Sequence, residues 1–284
     1  MDFLNLPFYL TGTDSIKALA QLKPKSYGDQ CISLRDLQFI DPLGLILVLT
    51  YLRYYSLVLP KLFLYLPRNY QVRAYLLRSG FLQAAQEYAV FLPAQKPADL
   101  IARRDETWLI PLTRFSLEDD VPQLIKNFMT SMHRLMAADA RELSQDQLYF
   151  CTLLSELCQN IPQHSEDEGF VAAQVYRRKE GRQLHIALGD LGIGLRGSLS
   201  KKHDLMSKDE EEIIRYALTQ GVSASKEVGR GLGLAQVIKS LQRFNGKFIL
   251  RSGSGFLEES SKYGQFSQSS FFPGVQIALI LNTQ

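Results

Sequence analysis

Three short segments in the second half of the chain carry residue types that could handle a phosphorylated ligand. The first is Glu156-Leu-Cys-Gln-Asn160-Ile-Pro-Gln163-His164. Helical spacing puts Glu156, Gln159, Asn160 and Gln163 on one face, opposite an apolar stripe of Phe150, Leu154, Leu157 and Ile161. An amide oxygen is a hard ligand suited to Mg²⁺, which prefers oxygen and brings phosphate with it. A carboxylate one turn away can polarise a water or a hydroxyl for attack on a phosphoryl group. Taken alone, this face reads more readily as a solvated polar surface. The second segment, Leu188-Gly-Asp190-Leu-Gly192-Ile-Gly194-Leu195, follows an apolar strand. Asp190 then emerges at a strand end, where it can accept a hydrogen bond from an exocyclic amine, and Gly192 and Gly194 let the backbone turn sharply. Glycine turns after strands are common, so this motif by itself decides nothing. The third, Gly229-Arg230-Gly231-Leu-Gly233-Leu-Ala-Gln-Val, opens a helix. Its N–H groups can approach phosphate oxygens, and the helix start adds its positive dipole end. Its spacing and late position argue against a Rossmann fingerprint, and a plain capped helix also fits.

Elements of two kinds have to position these residues. As far as Pro93, short apolar runs alternate with helical ones, which predicts a small α/β layer. Asp41 is a good N-cap there, with Pro42 at the first helical position. The stretch PAQKPADLIARRDE, 93–106, interrupts the periodicity and is the best linker. The domains are therefore read as 1–98 and 99–284. Beyond the linker, 107–115 reads as a strand, 121–138 and 144–161 as helices, and 169–178 and 183–190 as strands joined by a hairpin turn at 179–181. Helices are expected at 209–218 and 232–244, and strands at 247–252 and 275–281. The fold class is α/β of the α+β kind, with the second domain a two-layer mixed sandwich.

Composition excludes several classes. The first hundred residues carry ten Lys/Arg against seven Asp/Glu and the remainder 22 against 22, so no concentrated nucleic-acid footprint exists. Cys31, Cys151 and Cys158 form no CxxC pair, and their setting reads as packing in a reducing cytoplasm. The richest apolar stretch, 39–59, is broken by Asp41, Pro42, Gly44 and Arg53, so neither a signal peptide nor a membrane span is expected.

The order and placement of the three segments resemble the N box and two glycine boxes of the GHKL ATP-binding superfamily (gyrase, Hsp90, histidine kinases and MutL), over roughly residues 105 to 284. The resemblance implies an antiparallel sheet backed by helices, with ATP and Mg²⁺ between them. It makes Asn160 the metal ligand, Glu156 the base and Asp190 the adenine anchor. Gly192 and Gly194 become the turn beneath the base, and Gly229, Gly231 and Gly233 the phosphate loop. Residues 196–228 correspond to a mobile ATP lid, in which Lys226, with Arg230 just beyond, is a phosphate contact or a solvated charge. His164 falls where a basic residue often occurs and does not itself touch the ligand. Two departures stand out. Pro162 should kink or end its helix, because it lacks the N–H that would bond to the Cys158 carbonyl. A Gly-Thr pair frequent on the family's last strand is Gly274-Val275 here.

The N-terminal segment resembles a STAS domain, the fold of anti-anti-sigma factors, in which a helix-start Asp-Ser-Ser-Gly is phosphorylated by a GHKL kinase. This chain has Asp41-Pro42-Leu43-Gly44, with no acceptor hydroxyl. Pro42 and Leu43 are expected to form an unphosphorylated apolar knob for docking. The expected function is an ATP-binding regulatory protein whose slow hydrolysis switches a protein interface. The alternative is a serine kinase of the anti-sigma type acting on a separate STAS protein. The partner is expected to be a protein, such as a STAS or sigma-factor-related regulator or a second copy in a homodimer, with no nucleic acid and no membrane.

Overall fold

The computed structural model describes residues 1–25, 27–96, 108–136, 144–179, 181–219 and 233–283. The chain divides into two compact units, Met1–Asp105 and Glu106–Gln284, where the sequence reading has 1–98 and 99–284. Parallel and antiparallel sheets occur together with helices, an α+β class.

The first unit runs β1 (Asp2–Asn5), β2 (Tyr9–Leu10), α1 (Gly12–Ala20), β3 (Gln30–Ser33), β4 (Phe39–Ile40), α2 (Pro42–Val58), β5 (Leu62–Tyr65), α3 (Tyr70–Arg78), α4 (Phe81–Ala85) and β6 (Val90–Leu92). Four strands form a parallel sheet in the order β1-β3-β5-β6, and β2 pairs with β4. The buried strand β3 reads as a run rather than an alternation, as parallel strands covered on both faces do. In α2, every residue from Pro42 to Leu52 is buried, which explains why its apolar residues show no single stripe.

Asp41 is the N-cap of α2, as its sequence predicts. Its Oδ1 accepts from the Gly44 N–H at 2.8 Å, and its Oδ2 accepts from the Gly12 N–H at 2.9 Å, tying α1 to α2. Burial raises this carboxyl to about 6, against the hydrogen bonds from Gly44 and Gly12 that favour its charge. Pro42 and Leu43 do not form the expected knob. Both are buried, and Gly44 in the same turn lies against Leu10 of β2 and Ile40 of β4.

The second unit runs β7 (Trp108–Phe115), α5 (Asp120–Met136), α6 (Gln145–His164), β8 (Gly169–Arg178), β9 (Gly181–Asp190), α7 (Gly194–Ser200), α8 (Glu210–Ala217), α9 (Gly233–Arg243), β10 (Lys247–Ser260) and β11 (Gly264–Thr283). Its sheet is antiparallel in the order β10-β11-β9-β8-β7. Alternate residues of the strands join Phe128, Phe150, Leu154, Leu157, Val237 and Leu241 from α5, α6 and α9 in one core. Two strands are far longer than expected, since β10 and β11 continue as a hairpin with Leu257 opposite Phe266.

Helix α6 opens with a reciprocal capping box between Ser144 and Gln147. It does not end at Pro162 but runs on to His164. Pro162 falls in the last turn, so the ladder loses one N–H, and Ser165 N–H closes the helix on the Ile161 carbonyl at 2.9 Å. The three cysteines are buried and unpaired. Among the described residues, no helix is long and apolar enough to cross a membrane.

Candidate nucleotide site

The sheet face beneath the helices is apolar until its end. Phe248, Leu279, Ile186 and Ala173 form one cross-strand row, and Leu250, Ile277, Leu188 and Val171 form the next; all eight lie in the core. Strand residues return to the same face every second position, so this face continues with the pairs Ser252–Val275 and Asp190–Gly169. At the strand ends this face gains two buried polar side chains, Asp190 at 2% and Ser252 at 3% exposure, beside Val275 and Gly169. Ile161 of α6 packs directly on Gly169, since a Cβ there would lie 2.6 Å from its Cδ1. The C-terminal half of α6 thus stands over Asp190.

The turn after Asp190 is fixed by three consecutive backbone N–H groups. Leu191 donates to Asp167 Oδ2 at 3.0 Å, Gly192 to Asp190 Oδ1 at 2.8 Å, and Ile193 to the Ser165 carbonyl at 2.9 Å. Gly192 presses on the chain just beyond α6, where a Cβ would come within 1.9 Å of the Ser165 oxygen. Gly194 has φ +68 and starts α7, whose Leu195 N–H donates to Ser252 Oγ at 3.0 Å. The first two motifs are thereby brought together. Ser165, Asp167 and Ser252 hold them there, and sequence reasoning missed all three.

Helix α9 lies antiparallel to α6. Arg243, its last residue, pairs with Asp146 in the first turn of α6, and Phe244 packs on Tyr149 and Phe150 with ring centroids 5.8 and 4.8 Å apart. Gly233 is ten residues before Arg243, or about 15 Å along the axis. The same rise along α6 from Asp146 arrives at Glu156. By rise alone, the start of α9 falls at the height of Glu156 along α6, and Glu156 and Asn160 continue the helical stripe of Tyr149, the residue against which Phe244 packs. Glu156 and Asn160 are half-buried, and among the described residues neither side chain has a hydrogen-bond or ion-pair partner. Gly233 opens α9 as expected. Lys226, Gly229, Arg230 and Gly231 lie outside the described residues.

Part of the expected lid is folded structure. Helices α7 and α8 enclose a small core of Leu199, Leu205, Ile213 and Ala217. Arg196 locks it, donating from Nε to Glu210 at 2.9 Å and from Nη2 to the Lys208 carbonyl at 3.0 Å. His164 is half-buried, and burial lowers its pKa, with Lys202 and Lys201 acting in the same direction. A separate groove of about 680 Å³ runs on the other flank of α6, lined by Ile125, Lys126, Met129, Ser155 and Gln159 among others.

The donor set suits a cation that arrives with its own oxygen ligands. Among the described residues, no three His, Cys, Asp or Glu side chains converge to hold a metal. Mg²⁺ is ordinarily bound by one or two protein oxygens together with phosphates and water, which the Asn160 amide can supply beside a helix start. No protein-family model matches the chain, and no curated protein matches it.

Proposed function

We propose that the C-terminal unit binds Mg²⁺-ATP in the manner of the GHKL superfamily, and that binding and slow hydrolysis switch a protein interface. The observation that supports the reading is that the turn after Asp190 is seated on Ser165, at the end of the helix that carries Glu156 and Asn160. The third motif supplies a helix start at Gly233, on a helix whose last residue, Arg243, pairs with Asp146 of α6. In this arrangement Asp190 accepts from the base amine, and the Gly192–Gly194 turn lies under the ring. The phosphates meet the N–H groups at the start of α9, at Gly233, and the resemblance adds Lys226, Gly229, Arg230 and Gly231 as further contacts. Mg²⁺, held by Asn160, would offset charge on the phosphate oxygens. Glu156, without a competing partner among the described residues, orients and deprotonates a water.

A switch fits this chain better than transfer to its own N-terminal unit. The start of α2 offers Asp41, Pro42, Leu43 and Gly44, none with a hydroxyl, and Pro42 and Leu43 are buried. The phosphate released from ATP by the intact protein tests the assignment. Glu156→Ala should retain ATP affinity and lose about a hundredfold in turnover. Unchanged turnover in that variant would overturn the role of Glu156.

A further inference from the structure

We infer that Gln276 is a positioning residue for Asp190, holding it from the reverse face of the sheet so that its carboxylate meets the base amine. The inference rests on the nucleotide reading above and deepens it. Gln276 lies between Val275 and Ile277, which point to the helices, so its side chain occupies the opposite face. It is fully buried. Its Nε2 donates to the Asp190 carbonyl and to the Pro273 carbonyl, both at 3.0 Å. The β11–β9 register ends at the pair Gln276 and Gly189, so the amide continues by side chain what the ladder no longer provides by backbone.

Two further features make this a built contact. Among the described residues, the buried Gln276 Oε1 has no hydrogen-bond partner. An unsatisfied buried acceptor is costly, and an apolar side chain would have avoided it, so the two donor bonds are what an amide adds here. The orientation of the amide is also fixed, because the reverse one would set its oxygen against two carbonyls. From the same strand, Gly274, at φ +78, approaches the Asp190 carbonyl so closely that a Cβ would lie 2.1 Å from it. Asp190 is thus held at its backbone by β11, while Gly192 N–H holds Oδ1 of its side chain.

The amide therefore sets amine recognition and leaves phosphate binding alone. The test compares ATP with inosine triphosphate, which carries a carbonyl in place of the amine, by calorimetry on the full chain. Wild type should prefer ATP by about tenfold or more. Gln276→Met, similar in volume but without donors, should lose most of that preference while its affinity for inosine triphosphate stays within about twofold. Gln276→Asn keeps a polar amide but is one methylene too short to reach both carbonyls. It should lose the preference in the same way, and it serves if the Met variant does not fold. In an Asp190→Ala background, either substitution should change ATP affinity by less than about twofold. A folded Gln276 variant with the full wild-type preference overturns the inference. Wild type that binds neither nucleotide, or both equally, overturns instead the reading of the site on which it rests.

Discussion

Replacing Gly192 by Ala puts a methyl where the chain has no room for one. The new Cβ would lie 1.9 Å from the Ser165 carbonyl oxygen and 2.6 Å from its carbon. An ordinary contact needs about 3.5 Å, so the turn must retreat by roughly 1.5 Å. The facing atoms are backbone at the end of α6, which cannot swing aside as a long side chain would. Retreat breaks the Ile193 bond to Ser165 and strains the Leu191 bond to Asp167, both near 3 Å in the wild type. Overpacking at about 1–3 kcal/mol, with one or two hydrogen bonds at about 1 kcal/mol each, gives a loss of about 2–5 kcal/mol. The only tryptophan, Trp108, is buried in β7 of the same unit, so its fluorescence during urea unfolding reports this loss directly. ATP affinity should fall at least about tenfold, because Asp190 moves with the turn. A variant within about 0.5 kcal/mol of wild type, with unchanged affinity, would refute the packing argument.

Three other outcomes follow from the same structure. Asp41 titrates at about 6 in the folded chain against an ordinary 3.8, so the folded state holds the extra proton and stability falls as pH rises from about 4 to 6. The difference is on the order of 3 kcal/mol, and Asp41→Asn should abolish it, as read by hydrogen exchange of the α2 amides. His185 behaves oppositely: burial lowers it to about 3, so its stability is complete above the ordinary 6.5 and is lost as pH falls. His185→Gln should flatten that loss in the Trp108 signal. Exchanging the charges of Asp146 and Arg243 should recover most of the stability lost in either single reversal. The pair is half-exposed, so each single change should cost no more than about 1 kcal/mol.

The elements with a local repeat were legible from the sequence. Phe150, Leu154, Leu157 and Ile161 mark α6 at helical spacing, and Asp41-Pro42 marks the start of α2, because each signal comes from neighbours a turn apart. The β10–β11 hairpin was not legible beyond its ends. Its sequence, GSGFLEESSKYGQFSQSSFFP, has no clean alternation, and its order comes from pairs such as Leu257 with Phe266 across a turn. The short β1 was missed for the same reason, as its four residues become a strand only by pairing with β3. Pro162 misled because its cost depends on position, and in a last turn it removes one bond and nothing more. Within the site, Asp190, Gly192 and Gly194 announced themselves by type and spacing. Ser165, Asp167, Ser252 and Gln276 act on backbone groups that any residue presents, so no motif reveals them. Only the register that brings Gln276 to Asp190 does so.

Calorimetric titration of Mg²⁺-ATP into wild type, Asn160→Ala and Asp190→Ala measures nucleotide binding at this site directly. One site per chain is expected in the wild type, with affinity mostly lost in Asp190→Ala. In Asn160→Ala, the benefit of adding Mg²⁺ should be reduced. ATP binding of equal strength in all three proteins, or none in the wild type, would contradict the site assignment.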